Sequence, residues 1–229
     1  MPYTAAVDIS SGEAAFAVMD KASGKTVFTI YIKADRHGSS GILPGMLDAM
    51  CEHNIPLNSV DEWLTGTGPG SFTGLRLMSS LIAGLSFGRK NVSTYGIPSS
   101  LALASHVLKN KKDGGCAVLF DGRNKEILVA VAKKKDGVFT GSCKTDIFNR
   151  DTAFAEKFGG IEKIVSMLKD KEAVEKVLPP EIFSRVEFLE KFPIEEFFNP
   201  EIAFRSDINE LIYVRPAVFV EPKKFRNVN

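Results

Sequence analysis

The stretch VDEWLTGTGPGSFTGLR, residues 60–76, decides the fold because it joins three kinds of local structure. Its pattern predicts a short apolar strand over 60–64, a glycine-rich loop over 65–71 and an apolar helix over 72–87. Strand, loop and helix in this order are typical of an α/β unit. The glycines permit close backbone approach and Ser71 can cap the helix, so the loop is a candidate anion cradle. A tight turn without a ligand is the alternative, and the spacing matches neither the P-loop nor the dinucleotide fingerprint.

The segments on either side extend this unit into an α/β fold. Three strands are predicted over 3–10, 14–19 and 26–32, followed by a helix over 43–52. A strand over 91–95 and a helix that Pro98 opens come next. A hairpin over 116–120 and 126–132 follows, then a helical stretch over 161–168 and proline-punctuated irregular structure. We expect a lobe boundary between residues 104 and 113.

The composition excludes several classes of protein. The chain has 229 residues, of which 44% are hydrophobic and 25% charged, as expected for a globular protein of two lobes. A formal net charge of +1 argues against direct, charge-driven nucleic-acid binding. Three cysteines without a CxxC pair favour reduced thiols. No run approaches the roughly 18–20 apolar residues of a membrane span, and no signal peptide is evident, so a soluble, cytoplasmic protein is expected.

Two aspartates at the ends of predicted strands are the main candidate functional residues outside the loop. Asp8 precedes Ser10, and Asp121 precedes Gly122. A carboxylate with hydroxyls at a strand end could meet a metal–phosphate group, although both aspartates could equally hydrogen-bond only their own turns. The candidate phosphate-loop residues are Asp8, Ser10, Gly68, Gly70, Ser71, Thr73 and Asp121.

The histidine content argues against a metal centre. The chain has only His37, His53 and His106, with no HxxxH or HExxH pair that would place two of them on one helical face. A GxSxG nucleophile elbow is absent as well. The residues therefore argue against a metal centre and give little support to a hydrolase.

The two predicted helices at 43–52 and 72–87 carry more apolar surface than one buried face requires. A helix that is apolar almost all round lies either deep in a core or at an oligomer contact, and the pattern leaves both open. The residues predicted to form a dimer or partner interface are Leu43, Met46, Leu47, Met50, Met78, Leu81, Ile82 and Leu85.

Residues 1 to about 132 resemble the TsaB (YeaZ) family of bacterial tRNA threonylcarbamoyladenosine biosynthesis proteins. The most specific match is the block GPGSFTGLR at 68–76. The supporting matches are VDIS at 7–10, His37, AGLSFG at 83–88, GIPSSL at 96–101, DGR at 121–123 and LIYVRP at 211–216. The chain departs from the family pattern where Met78 replaces a common glycine and Ile9 replaces a usual threonine.

The resemblance implies an actin-like, ribonuclease H-like fold with two lobes, 1–108 and 109–229, the second shortened or rebuilt. It also implies a non-catalytic paralogue of the transferase TsaD, which forms N6-threonylcarbamoyladenosine at position 37 of ANN-decoding tRNAs. TsaD-like chains carry two metal-binding histidines shortly after the strand that follows the glycine-rich helix. Residues 95–104 contain no histidine, so the resemblance implies that this chain has no catalytic residue, no metal and no cofactor.

The same resemblance implies a scaffold that binds and activates a TsaD-like transferase, is joined by a TsaE-like ATPase and forms a homodimer when alone. Transfer RNA is then met only through the complex, and no membrane is involved. Two alternatives stay open. One is an actin-fold ATPase or small-molecule kinase that uses the glycine-rich loop with Asp8 and Asp121. The other is a metal-dependent glycoprotease of the M22-like kind.

Overall fold

Five strands form the first sheet, in the order β3-β2-β1-β4-β5. A computed structural model describes residues 2–10, 12–33, 40–139, 144–152 and 154–214. The first three strands form an antiparallel meander, and the last two run parallel to β1. The strands are β1 Tyr3–Asp8, β2 Glu13–Asp20, β3 Lys25–Lys33, β4 Val60–Gly66 and β5 Ser93–Ile97.

Three helices accompany this sheet. A short 3₁₀ helix, Leu57–Ser59, precedes β4. Side chains of the first two helices pack with Phe16 and Trp63, whose rings stack at 6.4 Å, in one buried cluster. The helices are α1 Ile42–Glu52, α2 Phe72–Ser86 and α3 Ser99–Val107.

The second sheet has the order β11-β10-β6-β7-β8, with β9 paired to β7. Its strands are β6 Gly114–Arg123, β7 Glu126–Lys135, β8 Val138–Phe139, β9 Lys144–Phe148, β10 Lys163–Met167 and β11 Val186–Leu189. Short helices complete the lobe: α4 Phe154–Lys157, α5 Lys171–Val177, α6 Pro180–Phe183 and the 3₁₀ helices Leu168–Asp170 and Ile194–Phe198. The predicted α/β class, with two mixed sheets flanked by helices, is confirmed.

One buried core joins the two sheets. Leu64 of the first sheet, Val118 of the second and Leu101 of α3 belong to the same cluster, together with Phe192 and Phe197. The chain beyond β11 therefore returns to the first sheet, where Tyr31 donates a hydrogen bond to the Phe192 carbonyl at 3.0 Å. The division of the lobes at residue 108 stays a prediction.

The predicted helix over 161–168 is wrong, because residues 163–167 form the strand β10. Apolar residues at 161, 164, 165 and 168 imitate helical spacing, but Ile164 and Val165 are β-branched and both are buried. The strand lies between β6 and β11, parallel to both. A strand covered on both faces is apolar on both, so its alternation is lost.

Some sequence expectations lie outside the described residues. These concern His37, Cys143, Arg215 and Pro216. Within the part of the chain that the structure describes, no helix is both long enough and apolar enough to cross a membrane.

Candidate functional site

The glycine-rich loop between β4 and α2 is held by backbone hydrogen bonds to the junction of β5 and α3. The Thr67 N–H donates to the Ile97 carbonyl at 2.9 Å, and the Ser99 N–H donates to the Gly68 carbonyl at 2.8 Å. At the helix start the Ser71 hydroxyl accepts from the Gly74 N–H at 3.5 Å, as the predicted cap requires. Gly68 has a φ of 99°, which favours glycine.

Asp8 is completely buried beneath this loop. One carboxylate oxygen accepts from the Ser10 N–H at 2.7 Å and from the Ser10 hydroxyl at 2.5 Å, and the other accepts from the Ser99 hydroxyl at 2.5 Å. A Cβ at Gly66 would lie 1.7 Å from the second oxygen, so only glycine leaves room for the carboxylate. Asp8 therefore fastens β1 and α3 together and has no surface toward solvent.

Burial raises the pKa of the Asp8 carboxyl above its usual value. Hydrogen bonds from Ser10 and Ser99 and the charge of Lys169 oppose that rise without cancelling it. The folded protein thus favours the protonated form of this carboxyl more than the unfolded chain does.

A cleft of about 690 Å³ opens between the lobes, above the buried aspartate. It brings together five of the seven candidate phosphate-loop residues, whereas Asp8 and Gly68 do not line it. The five are Ser10, Gly70, Ser71, Thr73 and Asp121. Gly70 is fitted closely against the opposite turn, because a Cβ there would lie 2.9 Å from the Ser10 Cβ.

The second lobe contributes Lys169 and Asp170 to the cleft, and sequence reasoning missed both. The Lys169 ammonium donates to the Ser10 carbonyl at 3.1 Å and so bridges the lobes. Burial raises the pKa of Asp170, and the Asp121 charge adds to the rise, while Lys169 and a hydrogen bond from the Asp121 backbone oppose it. Asp121 itself accepts from the Arg123 N–H at 2.7 Å, a turn contact of the kind that the alternative interpretation expects.

The chain near residue 213 covers the other side of the glycine-rich loop. The Ile212 N–H donates to the Thr67 carbonyl at 2.8 Å. The Tyr213 ring lies 4.8 Å from the Phe72 ring, and its hydroxyl accepts from Arg76 Nε at 3.1 Å. This contact links the GPGSFTGLR block to the LIYV segment. The two segments lie 135 residues apart in the sequence, where they are only separate motifs.

The predicted interface set on α1 and α2 needs correction. Half of its members, namely Met46, Met50, Met78 and Ile82, are buried in the core of the chain and belong to packing. These four lie on the face that each helix turns toward the sheet, and Met50 alone among them also borders a surface groove at the end of α1. Leu47 is exposed, and Leu43, Leu81 and Leu85 are half-buried.

The residues at the start of α3 do not fit the histidine-based metal site that the resemblance associates with TsaD-like chains. At the start of α3 stand Ser99 and Ser100, both fully buried, and the Ser99 hydroxyl is engaged with Asp8. Among the described residues, no three side chains of His, Cys, Asp or Glu converge.

A two-lobed α/β fold with a glycine-rich loop at its interlobe cleft defines the class of this protein. The family of TsaD, tRNA N6-adenosine threonylcarbamoyltransferase, matches residues 32–193, well over half of the chain. The chain belongs to this family.

Curated relatives confirm the more specific resemblance to TsaB. The tRNA threonylcarbamoyladenosine biosynthesis protein TsaB of Haemophilus influenzae is 30% identical over 94 residues, which cover 41% of this chain and 39% of that protein. The protein of the same name from Buchnera aphidicola is 24% identical over 129 residues, or 56% of this chain and 55% of the relative. The matches therefore span about half of these relatives or less.

Solved structures show the same fold over nearly the whole chain. An uncharacterized protein with similarity to peptidase YEAZ, from Pseudomonas aeruginosa, superposes with a TM-score of 0.71 at 18% identity and covers 94% of this chain and 100% of the other. YeaZ from Pseudomonas aeruginosa gives a TM-score of 0.68 at 17% identity and covers 93% and 100%.

Proposed function

We propose that this protein is a non-catalytic subunit of the complex that forms N6-threonylcarbamoyladenosine at position 37 of ANN-decoding tRNAs, and that it binds and activates a TsaD-like transferase. Membership of the transferase family and the TsaB relatives support the pathway. The observation that carries the non-catalytic role is the complete burial of Asp8.

A phosphotransfer site needs a carboxylate that can reach the metal ion which accompanies the phosphates. The Asp8 oxygens are instead filled by three donors from Ser10 and Ser99, and Gly66 lies directly against them. Opening that arrangement would leave a backbone N–H and two hydroxyls without their acceptor, at a cost of about 1–3 kcal/mol each. The ATPase or kinase alternative, which depends on Asp8, therefore lacks its metal-binding group.

The outer surface of α1 and α2 supports a role in assembly. Leu47 is exposed on α1, and Phe87, directly after α2, is 88% exposed. A groove of about 440 Å³ lies at the end of α1, beside Leu47, and it is lined mostly by apolar residues: Leu47, Met50, Cys51, Asn54, Ile55, Pro56 and Leu57. Apolar surface of this kind gains free energy when a partner covers it. It is the face by which the chain pairs with itself when alone and with the transferase in the complex, to which a TsaE-like ATPase is then added.

Reconstitution tests the proposal. Purified TsaD-like and TsaE-like proteins of the same organism, with the carbamoyl-adenylate synthase, are supplied with unmodified tRNA, and product is measured with and without this chain. We expect modification to require the chain in stoichiometric amount. Equal rates without it would refute the proposal.

A further inference from the structure

Six lysines gather at one end of the second sheet, and neither the cleft nor the apolar helices account for them. They lie in two groups about twenty residues apart: Lys109, Lys111 and Lys112 in the loop before β6, and Lys133, Lys134 and Lys135 at the end of β7. Strand register brings the groups together, since Gly114 pairs with Lys134 and Gly115 with Lys133. We call these six residues the lysine cluster.

The backbone that carries the cluster is firmly held. The Gly137 N–H donates to the Lys112 carbonyl at 2.8 Å, and the Asp136 N–H donates to the Asp113 carboxylate at 2.7 Å. Lys134 is buried and donates to the Leu108 carbonyl at 3.3 Å and to Glu201 at 2.8 Å. Loop and strand are thus fixed to each other, and Lys134 serves as their anchor.

The cluster has surplus positive charge. Ion pairs engage Lys111 with Glu162, Lys112 with Asp136 and Lys134 with Glu201. Lys109, Lys133 and Lys135 are exposed, and within the described ranges none of them has an ion-pair partner. Asp113 lies in the same loop, is absent from these three ion pairs, and accepts the Asp136 N–H.

The cluster also lies apart from the other surfaces described. It occupies the end of the second sheet where β6 begins and β7 ends, whereas Asp121, near the other end of β6, lines the cleft. The helices α1 and α2 pack on the first sheet. A partner that covers these helices therefore leaves the lysines open to a further ligand.

We propose that the lysine cluster contacts the phosphate backbone of tRNA, an inference that rests on the proposed function. Flexible ammonium groups without fixed partners suit phosphates, which they bind as point charges and without reading sequence. The Phe139 ring, whose centroid lies 5.6 Å from the Lys134 ammonium, is buried and therefore cannot stack on a base. About three phosphate contacts give weak binding alone, and they add to the affinity of an assembled complex.

The test compares two triple variants that remove the same charge. Lys109→Gln with Lys133→Gln and Lys135→Gln neutralises the unpaired lysines but keeps the Lys134 anchor. The control, Lys25→Gln with Lys90→Gln and Lys176→Gln, neutralises three lysines elsewhere on the surface. Fluorescently labelled, unmodified tRNA is titrated with the full chain between about 50 and 200 mM salt, the range over which phosphate contacts weaken most visibly.

We expect the cluster variant to bind tRNA at least about fivefold more weakly at the lowest salt, with a plot of log K against log salt that is shallower by about 2–3. The control should keep the wild-type affinity and slope. Equal binding by the cluster variant, or an equal loss in both variants, would overturn the proposal. An acidic protein as the true ligand would give the first of these outcomes.

Reconstituted modification separates this inference from the proposed function. If the wild-type chain gives no stimulation, the proposed function fails. If the chain stimulates the transferase while the cluster variant binds tRNA as the wild type does, only the phosphate contact fails.

Discussion

Asp8, a candidate phosphate-loop residue in the sequence, is held in the structure by hydrogen bonds within the protein. The strand-end position and the following Ser10 were visible in the sequence. The partners that seal it, Ser99 and Gly66, lie 91 and 58 residues away and come close only through the pairing of β1 with β4 and the packing of α3. The sequence therefore identified the residue but could not reveal its burial.

Replacement of Asp8 separates the structural role from a catalytic one. Asp8→Asn keeps an oxygen for Ser10 and can donate to the Ser99 hydroxyl, so we expect a folded chain that still stimulates the transferase. Asp8→Ala leaves a backbone N–H and two hydroxyls without their acceptor and should lower the free energy of unfolding by about 3 kcal/mol or more. Urea unfolding and the reconstituted assay measure both. A stable Asp8→Asn chain without activity would instead assign Asp8 to chemistry.

The pH dependence of the same variant has a definite sign. Because the pKa of Asp8 is raised in the folded state, its contribution to stability is fully present below the unfolded pKa and is lost as pH rises through the folded pKa. Asn cannot titrate. The stability of Asp8→Asn relative to wild type should therefore increase from acidic to neutral pH in urea titrations, and a constant difference would contradict the raised pKa.

At the scale of elements, most helices and strands were predictable, but β10 and the division of α1 and α2 into core and surface were not. The meander, the two long helices and the β6–β7 hairpin follow from β-prone runs, helical spacing and turn residues. Strand β10 failed because both of its faces are apolar, with Val165 in the core between the sheets and Ile164 in the cluster on the other face, so that its apolar residues imitate helical spacing. The helices α1 and α2 are apolar on nearly all sides. Their buried and exposed residues could therefore not be told apart until the position of the sheet was known.

Two adjacent residues on α1 test the division of this helix into a core face and a surface face. Leu47 is 37% exposed and Met46 is 1% exposed. We expect Leu47→Glu to keep the free energy of unfolding within about 0.5 kcal/mol and to shift the chain from dimer to monomer in analytical ultracentrifugation. Met46→Glu buries a carboxylate and should unfold the chain. A Leu47→Glu chain that remains dimeric would place the self-association surface elsewhere.

At the scale of the whole molecule, the two lobes are held together by more than a hinge. They share a core around α3, and polar contacts cross between them, among them Lys169 with the Ser10 carbonyl and Lys191 with Glu13 at 2.8 Å. The fold class was predictable from residues 60–76 and their flanks. The part of the cleft lined by Lys169, Asp170 and Tyr213 was not predictable, because these residues are far from the glycine-rich loop in the sequence and approach it only in the folded chain.

The formal net charge of +1 still argues against strong, charge-driven binding of RNA by the chain alone. A near-neutral chain does not hold RNA firmly by its charge, and a local group of lysines binds it only weakly unless other proteins supply further contacts. The sealed carboxylate, the apolar helix surface and the separate lysine cluster fit the proposal that this chain acts as a subunit of a larger assembly.

Association with the transferase tests that claim most directly. The chain and the TsaD-like protein of the same organism are purified separately, mixed at equal concentrations in the micromolar range and analysed by size-exclusion chromatography with light scattering. We predict a stable complex that contains both chains and that Leu47→Glu weakens. Separate elution of the two proteins at tens of micromolar would contradict the account.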